Sequence, residues 1–439
     1  MKHMIKSFFG WVVIILLSLI PVYLWFKLGA GAIEFATYGD AVHSLGEIFG
    51  LVAITMFAIT FVLSTRIKII EDIFGGLDKV YLVHGILGGT ALILILFHPI
   101  FLVLRFVPSN LALAATYLLP SSYWSVNFGI IALIGMVALI YITLFTKMKY
   151  HRWKFTHEFL GAVFVLVILH AFLVRNTVSV DYIFKGYYAF VSIVGFIGLS
   201  AFSYSLILKN RLQKNAIYKI TDIKQTKNMF SLELDPEHKP IDYKAGQFIF
   251  IRFYNKRLSE ESHPFSIASR TGERKIRIII KKLGDFTEKL EHLNVGDKVA
   301  VEGPYGRFHF KNYKRKNQIW IAGGIGITPF FGMVEDLMEG EKHDGDIDLY
   351  YSASTGEDFI GYGFLKDVEN KIKGFRFIPW ASSRKGYLTG EEIEKTSQSL
   401  QGKEILICGP TRFKESIIHK LIKLGVRKNN IHEEVFDFR

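Results

Sequence analysis

Two regimes of hydrophobic patterning divide the chain near Lys209. Ahead of that point lie six long apolar runs, at about 8–28, 46–65, 80–104, 125–146, 156–174 and 185–208. Each reaches or approaches the roughly 20 residues that a bilayer requires, so the pattern predicts six membrane-spanning helices. Beyond it the apolar runs are short, rich in β-formers and punctuated by Gly and Pro: Ile217–Ile220, Phe230–Leu234, Gln247–Phe253, Lys275–Ile280 and Lys298–Val301. Strands at that spacing predict a small antiparallel β-barrel. From Gln318 the pattern changes again. The strands Gln318–Ala322, Asp348–Tyr351, Arg376–Pro379 and Glu404–Ile407 are separated by long connections, the first of them helical over Phe330–Met338. This alternation predicts an α/β Rossmann-like domain. The expected division is a transmembrane domain over 1–213, a barrel domain over 214–313 and an α/β domain over 314–439.

Charge sets the orientation of the spans. Lys2 and Lys6 precede the first, Arg66, Lys68 and Lys79 separate the second and third, and Lys147, Lys149, Arg152 and Lys154 join the fourth and fifth. Lys209, Arg211 and Lys214 follow the sixth, whereas the other three loops are poorer in such residues. The positive-inside rule then puts both termini and everything after the sixth span in the cytoplasm, with the helices in the plasma (inner) membrane. Anionic inner-leaflet lipid accounts for part of the net +13 charge. No basic-aromatic patch points to nucleic acid. The first apolar run is near 19 residues, longer than the 7–15 typical of a signal peptide, and reads as a retained anchor. A single cysteine, Cys408, excludes disulfides within the chain and protein-held iron–sulfur clusters.

Four histidines interrupt the apolar runs: His84 and His98 in the third, His157 and His170 in the fifth. An ionisable residue at membrane depth is costly without a partner and is a functional candidate by default. The members of each pair are fourteen and thirteen residues apart, roughly 20 Å along a helix. Two facing helices would offer two histidine–histidine clamps, one near each membrane face, and paired imidazoles are one way of holding haem iron. At 100° per residue, fourteen positions return to within about 40° of the starting face but thirteen miss it by about 140°. The fifth span must therefore tilt, distort locally or reach its ligands from different sides. His151, in the basic loop, is the alternative to His157, which is kept.

Three segments stand out in the barrel region: Tyr243–Phe248, then His263-Pro264-Phe265-Ser266-Ile267-Ala268-Ser269, then Gly284-Asp285-Phe286-Thr287 just after Lys281. Glu288–His292 reads as a short helix behind the last; backbone amides at its start, with the Thr287 hydroxyl, suit a pyrophosphate. In the α/β region a strand runs into Gly323-Gly324-Ile325-Gly326-Ile327-Thr328-Pro329 and then a helix, a nucleotide phosphate site in form. Pro329 occupies the last glycine position of the usual fingerprint. Gly323, Ser352 and Cys408-Gly409-Pro410 fall at strand carboxyl ends, where ligands collect in open sheets.

Taken together, segments 263–269, 284–287, 323–329 and 408–410 resemble the ferredoxin–NADP reductase type of flavin dehydrogenase. Behind six spans with paired histidines, the chain from about residue 45 onwards resembles the NADPH oxidase and ferric reductase family, most closely its bacterial NADPH oxidases. The resemblance implies a ferric reductase-like bundle carrying two b-type haems, His84 with His157 holding the inner and His98 with His170 the outer. It implies FAD contacts at His263, Pro264, Phe265, Ser266, Ile267, Lys281, Gly284, Asp285, Phe286 and Thr287. It implies NADPH or NADH contacts at Gly323, Gly324, Gly326, Thr328, Pro329, Ser352, Cys408, Gly409 and Pro410. The basic pair Arg384 and Lys385 offers partners for a 2′-phosphate or reads as a solvated surface pair, and the resemblance puts Phe438 on the flavin ring as the catalytic aromatic. Arg66, Arg152 and Lys79 are candidates for inner haem propionates and Arg105 for the outer; each reads equally as an interfacial snorkelling residue. The implied activity is an NAD(P)H oxidase passing electrons to external O2 to make superoxide. A ferric or cupric chelate reductase is the alternative, and a transporter or haem-insertion protein the rival from another class. No EF-hand loop is present, and no obligatory protein partner is expected.

Overall fold

The protein is described here from a computed structural model, which describes residues 2–27, 37–107, 109–174, 181–208, 216–226, 228–259, 261–341 and 343–434. It divides into two compact units, Lys2–Gln213 and Lys214–Arg439.

In the first unit, six helices among the described residues are long and apolar enough to cross a membrane. They are Lys2–Trp25, Tyr38–Ser64, Leu77–Leu104, Trp124–Phe145, the pair Tyr150–Glu158 and Leu160–Leu173, and Asp181–Ser203 continued by a π-turn over Tyr204–Leu208. Several start ahead of their apolar runs, because a polar first turn can be capped in the headgroup region. Thr37 shows how: its hydroxyl oxygen accepts the Asp40 N–H at 3.2 Å and begins the second span eight residues before the expected bound. The fifth span is broken at Phe159, whose N–H turns tightly onto the Thr156 carbonyl at 3.2 Å. Aromatic rings fill the centre. Phe164 lies 5.1 Å from Phe57 and 5.3 Å from Phe61, ring to ring, with Gly198 leaving room for it.

The second unit holds two sheets. Strands β1 (Ala216–Gln225), β2 (Met229–Pro236), β3 (Phe248–Tyr254), β4 (His263–Ser266), β5 (Ile276–Lys281) and β6 (Lys298–Tyr305) form an antiparallel sheet in the order β4-β3-β6-β1-β2-β5. A bridge between Ile267 and Ile278 links the two edges, so the sheet closes nearly into a barrel around Tyr218, Ile220, Leu232, Ile249, Ile251 and Ile278. Strands β7 (Gln318–Gly323), β8 (Ile347–Ala353), β9 (Phe375–Ala381), β10 (Glu404–Cys408) and β11 (Ile431–Glu433) make a parallel sheet in the order β11-β10-β7-β8-β9. Its central strand β7 is buried along its whole length, as expected of a sheet covered on both faces. Apolar clusters around Trp320 on one face and Tyr350 on the other supply the cover.

Candidate functional site

In the membrane unit the four histidines meet as two pairs. The rings of His84 and His157 have centroids 6.1 Å apart, and those of His98 and His170 6.3 Å apart. The irregular turn at Phe159 falls between His157 and His170, so the local distortion that their spacing requires lies on the stretch that separates them. His151 is exposed and lies outside both pairs. Each paired imidazole is held from behind. Nδ1 lies 3.0 Å from the Thr60 carbonyl in His84, 2.7 Å from Gly46 in His98 and 2.7 Å from Ser125 in His170. A carbonyl oxygen can only accept, so Nδ1 carries the proton and Nε2 keeps its lone pair. In His157 the partner is the Thr143 hydroxyl at 3.2 Å, whose own proton goes to the Leu139 carbonyl at 2.8 Å. The same tautomer follows. Imidazole–metal bonds of about 2 Å, with each ring centre about 1.1 Å behind its nitrogen, put two imidazoles that face each other across one ion about 6.2 Å apart. Both pairs have that separation.

Sequence reading did not find the residues that shape this cradle. A Cβ on Gly50 would lie 2.8 Å from Nδ1 of His98, and one on Gly129 would lie 2.7 Å from Nδ1 of His170. Only glycine at these two places lets the rings sit back against the neighbouring backbone. A polar group also gathers on the His98 side. The Glu47 carboxylate accepts the Trp25 indole N–H at 3.2 Å and lies 3.9 Å from His43. A lone carboxylate within an apolar run was the available signal. Of the basic candidates, Arg66 donates to the Tyr81 hydroxyl at 2.6 Å from a backbone at φ +58, a conformation rare outside glycine. The Arg105 guanidinium lies over Phe106 at 5.8 Å, Lys79 is half-buried and Arg152 is exposed.

In the barrel, His263–Ser266 form the edge strand β4, paired with Ile251–Phe248 of β3. Ile267 continues it in full burial, and His263 stacks on Phe286 with centroids 3.6 Å apart. The helix behind Gly284 starts at Asp285 rather than Glu288, which puts Thr287 inside its first turn. The Thr287 hydroxyl oxygen accepts the N–H groups of Leu283 at 2.9 Å and Gly284 at 3.1 Å, so it caps this loop. Lys281 is exposed at the end of β5.

The parallel sheet sets Gly323, Ser352 and Cys408 side by side. Gly323 pairs with Ser352, and Cys408 with Ala322, at the carboxyl ends of their strands. Gly324 has φ +54, which glycine adopts without strain. A Cβ on Gly326 would strike the Cys408 carbonyl, and one on Gly409 would come within 3.1 Å of Gly323 Cα. The turn and the Cys408-Gly409-Pro410 segment are thus packed backbone to backbone. The helix begins at Thr328, not Phe330, with Pro329 in the first turn, where a missing N–H costs nothing. Burial pushes the Cys408 thiol well above its ordinary range. Arg384 is exposed in a short helix directly after β9. Phe438 lies outside the described residues.

Family comparison bears on the same segments. A ferric reductase-like transmembrane component matches residues 49–168, an FAD-binding domain residues 212–309 and an oxidoreductase NAD-binding domain residues 320–418. Among curated proteins, the chain is 28% identical over 236 residues to the phenol hydroxylase P5 protein of Acinetobacter pittii, covering 50% of this chain and 64% of that protein. It is 23% identical over 246 residues to NADH-cytochrome b5 reductase 1 of Kluyveromyces lactis, covering 52% of this chain and 88% of that one. Among solved structures, flavohemoglobin from Malassezia yamatoensis matches with TM-score 0.47 and 18% identity, over 75% of this chain and 92% of that. The cytochrome b5 reductase domain of Ulva prolifera nitrate reductase matches with TM-score 0.44 and 20% identity, over 51% and 97%. With its three domain matches in this order, the chain has the architecture of the NADPH oxidase and ferric reductase-like proteins.

Proposed function

We propose that the protein is a transmembrane NAD(P)H oxidase that draws on cytoplasmic NADPH and delivers single electrons to O2 outside, releasing superoxide. The observation that carries this reading is the two facing histidine pairs, each with Nε2 free of its proton and the ring separation of a bis-imidazole clamp. When bound, FAD supplies the split of a hydride into single electrons, and b-type haems supply one-electron carriage through the apolar layer. His84 and His157 would hold one haem at the end of the spans nearer the basic loops, and His98 and His170 the other. The carbonyls of Thr60, Gly46 and Ser125 orient the rings and raise their basicity as ligands. Thr143 does the same for His157.

In the second unit, His263–Ile267, with Lys281, Gly284, Asp285, Phe286 and Thr287, would contact FAD. The turn Gly323–Pro329 would take the nucleotide phosphates on its backbone amides, with Ser352, Cys408, Gly409 and Pro410 lining the adjoining strand ends. Arg384 would meet a 2′-phosphate, and Phe438 would cover the flavin ring. The Lys and Arg distribution supports a plasma-membrane orientation with both termini and the second unit in the cytoplasm. One relative named above is an NADH-cytochrome b5 reductase, which supports the nicotinamide chemistry and leaves the acceptor open. The ferric reductase-like match favours one second reading, a ferric or cupric chelate reductase with the same residues. The deciding experiment supplies purified protein with FAD and NADPH and no partner protein. Superoxide-dismutase-sensitive cytochrome c reduction as the main product supports the oxidase. Chelate reduction that persists at full rate without oxygen, with little superoxide in air, supports the reductase.

A further inference from the structure

The segment proposed for flavin and the turn proposed for nucleotide are tied together by groups used in neither site. The helix Thr328–Met338 grows directly out of the glycine turn, and its last turn carries Glu335 and Asp336. Asp336 is buried, with 3% of its side chain exposed. Its Oδ1 accepts the Thr271 backbone N–H at 2.7 Å, and its Oδ2 accepts the Thr271 hydroxyl at 2.6 Å. His309 Nε2 lies 3.3 Å from the same Oδ2, and its Nδ1 accepts the Lys311 N–H at 3.2 Å. The imidazole proton therefore faces the carboxylate. Thr271 Oγ1 in turn accepts the Ala245 N–H at 3.0 Å.

The neighbouring carboxylate works on the other side of the same loop. Glu335 accepts from Arg277, whose guanidinium also donates to the Ala268 carbonyl at 2.8 Å. Ser269 follows, its hydroxyl 2.7 Å from that of Tyr243 and accepting the Arg277 N–H at 3.1 Å. Residues 268–271 are the direct continuation of the His263–Ile267 segment. Backbones close the rest of the seam, since a Cβ on Gly332 would strike the Ser269 carbonyl.

We propose that Asp336 and Glu335 are positioning residues for hydride transfer, fixing the nucleotide turn and the flavin segment as one rigid piece. The inference rests on the NAD(P)H–flavin reading above. The lever is the helix. Eleven residues span about 16 Å, so a tilt of about 4° at the clamped end moves the glycine turn by about 1 Å. Hydride transfer needs reacting atoms about 3–3.5 Å apart, and a misplacement of 1 Å can cost on the order of 100-fold in rate. Hydrogen bonds to a carboxylate are directional, so they add a fixed orientation to the apolar packing of this helix. Asp336 holds Thr271 at two points, and rupture would leave its buried carboxylate with His309 alone beside it.

The test uses full-length, FAD-loaded protein and follows flavin reduction by NADPH in a stopped-flow instrument. Thr271→Val removes the hydroxyl and Thr271→Ser restores it; Asp336→Asn and Glu335→Gln remove the charges. The expected result is a fall of roughly tenfold or more in the limiting reduction rate for Thr271→Val and Asp336→Asn. Apparent nucleotide affinity and FAD content should stay within about twofold, and Thr271→Ser should recover the parent rate. If Thr271→Val or Asp336→Asn does not fold, the partly exposed Glu335→Gln must show the same split between rate and affinity. Limiting rates equal to the parent in FAD-loaded variants overturn the proposal, and so does a rate loss that only tracks lost FAD. A parent protein whose flavin is reduced by neither NADPH nor NADH overturns the underlying reading instead.

Discussion

Replacing Gly50 or Gly129 by alanine isolates the histidine cradle from the histidines themselves. The added Cβ would sit 2.8 Å from Nδ1 of His98 or 2.7 Å from Nδ1 of His170. Ordinary contact begins near 3.4 Å, so the ring must retreat by about 0.6–0.7 Å or the backbone must shift, at about 1–3 kcal/mol for overpacking. A retreating ring also leaves its 2.7 Å bond to the Gly46 or Ser125 carbonyl. Loss of such an orienting partner typically weakens metal binding by about 10–100-fold. Both routes reach only the His98–His170 pair. Gly89 supplies the control: a Cβ there meets nothing within 4 Å, and at 100° per residue it points about 140° from His84 and 180° from His98. Haem per chain, measured as the pyridine haemochromogen, should fall from two towards one in Gly50→Ala and Gly129→Ala. It should stay at two in Gly89→Ala. Full haem content and unchanged low-spin spectra in both cradle variants would refute the reasoning.

Three further outcomes follow from the second unit. Burial raises the carboxyl of Asp336, but hydrogen bonds from His309 and Thr271 outweigh it and hold the group below its ordinary range; Arg376 and Ser397 do the same for buried Asp348. A depressed folded value stabilises above the unfolded value of about 3.9 and loses that contribution as pH falls through the folded one, so these groups should lower Tm below about pH 4 and leave it flat from 5 to 8. Calorimetry should show a shallower acid slope in Asp336→Asn. Cys408 is fully buried with its thiol pushed up, so iodoacetamide should label it only after unfolding, and fast labelling with loss of activity in native protein would contradict that placement. Phe438→Ala should change nicotinamide affinity or the NADPH/NADH ratio at constant haem content; altered haem with unchanged kinetics would reduce Phe438 to packing.

What the sequence made legible follows from locality. Six apolar runs, four histidines within them and a glycine turn between strand and helix are each contiguous signals, and each leads to its element. The distortion of the fifth span showed in the thirteen-residue spacing of His157 and His170, but its place at Phe159 left no mark, because neither Pro nor Gly occupies that position to announce it. Strand β4 was hidden by Pro264, which reads as a turn residue; it is tolerated because β4 lies at the sheet edge, where its missing N–H has no neighbour to serve. The remaining misses are long-range. Gly129 meets His170 and Thr271 meets Asp336 across 41 and 65 residues, and nothing in either neighbourhood marks its partner.

The central claim is that electrons cross the membrane through this one chain. It is tested most directly with purified protein in sealed vesicles, NADPH and FAD added outside, and cytochrome c with superoxide dismutase as a switch trapped inside. The account predicts lumenal cytochrome c reduction from chains whose second unit faces outward, suppressed by lumenal dismutase and absent from His98→Ala and His170→Ala. Reduction confined to acceptors on the NADPH side, with an unreactive lumen in the parent protein, would contradict it.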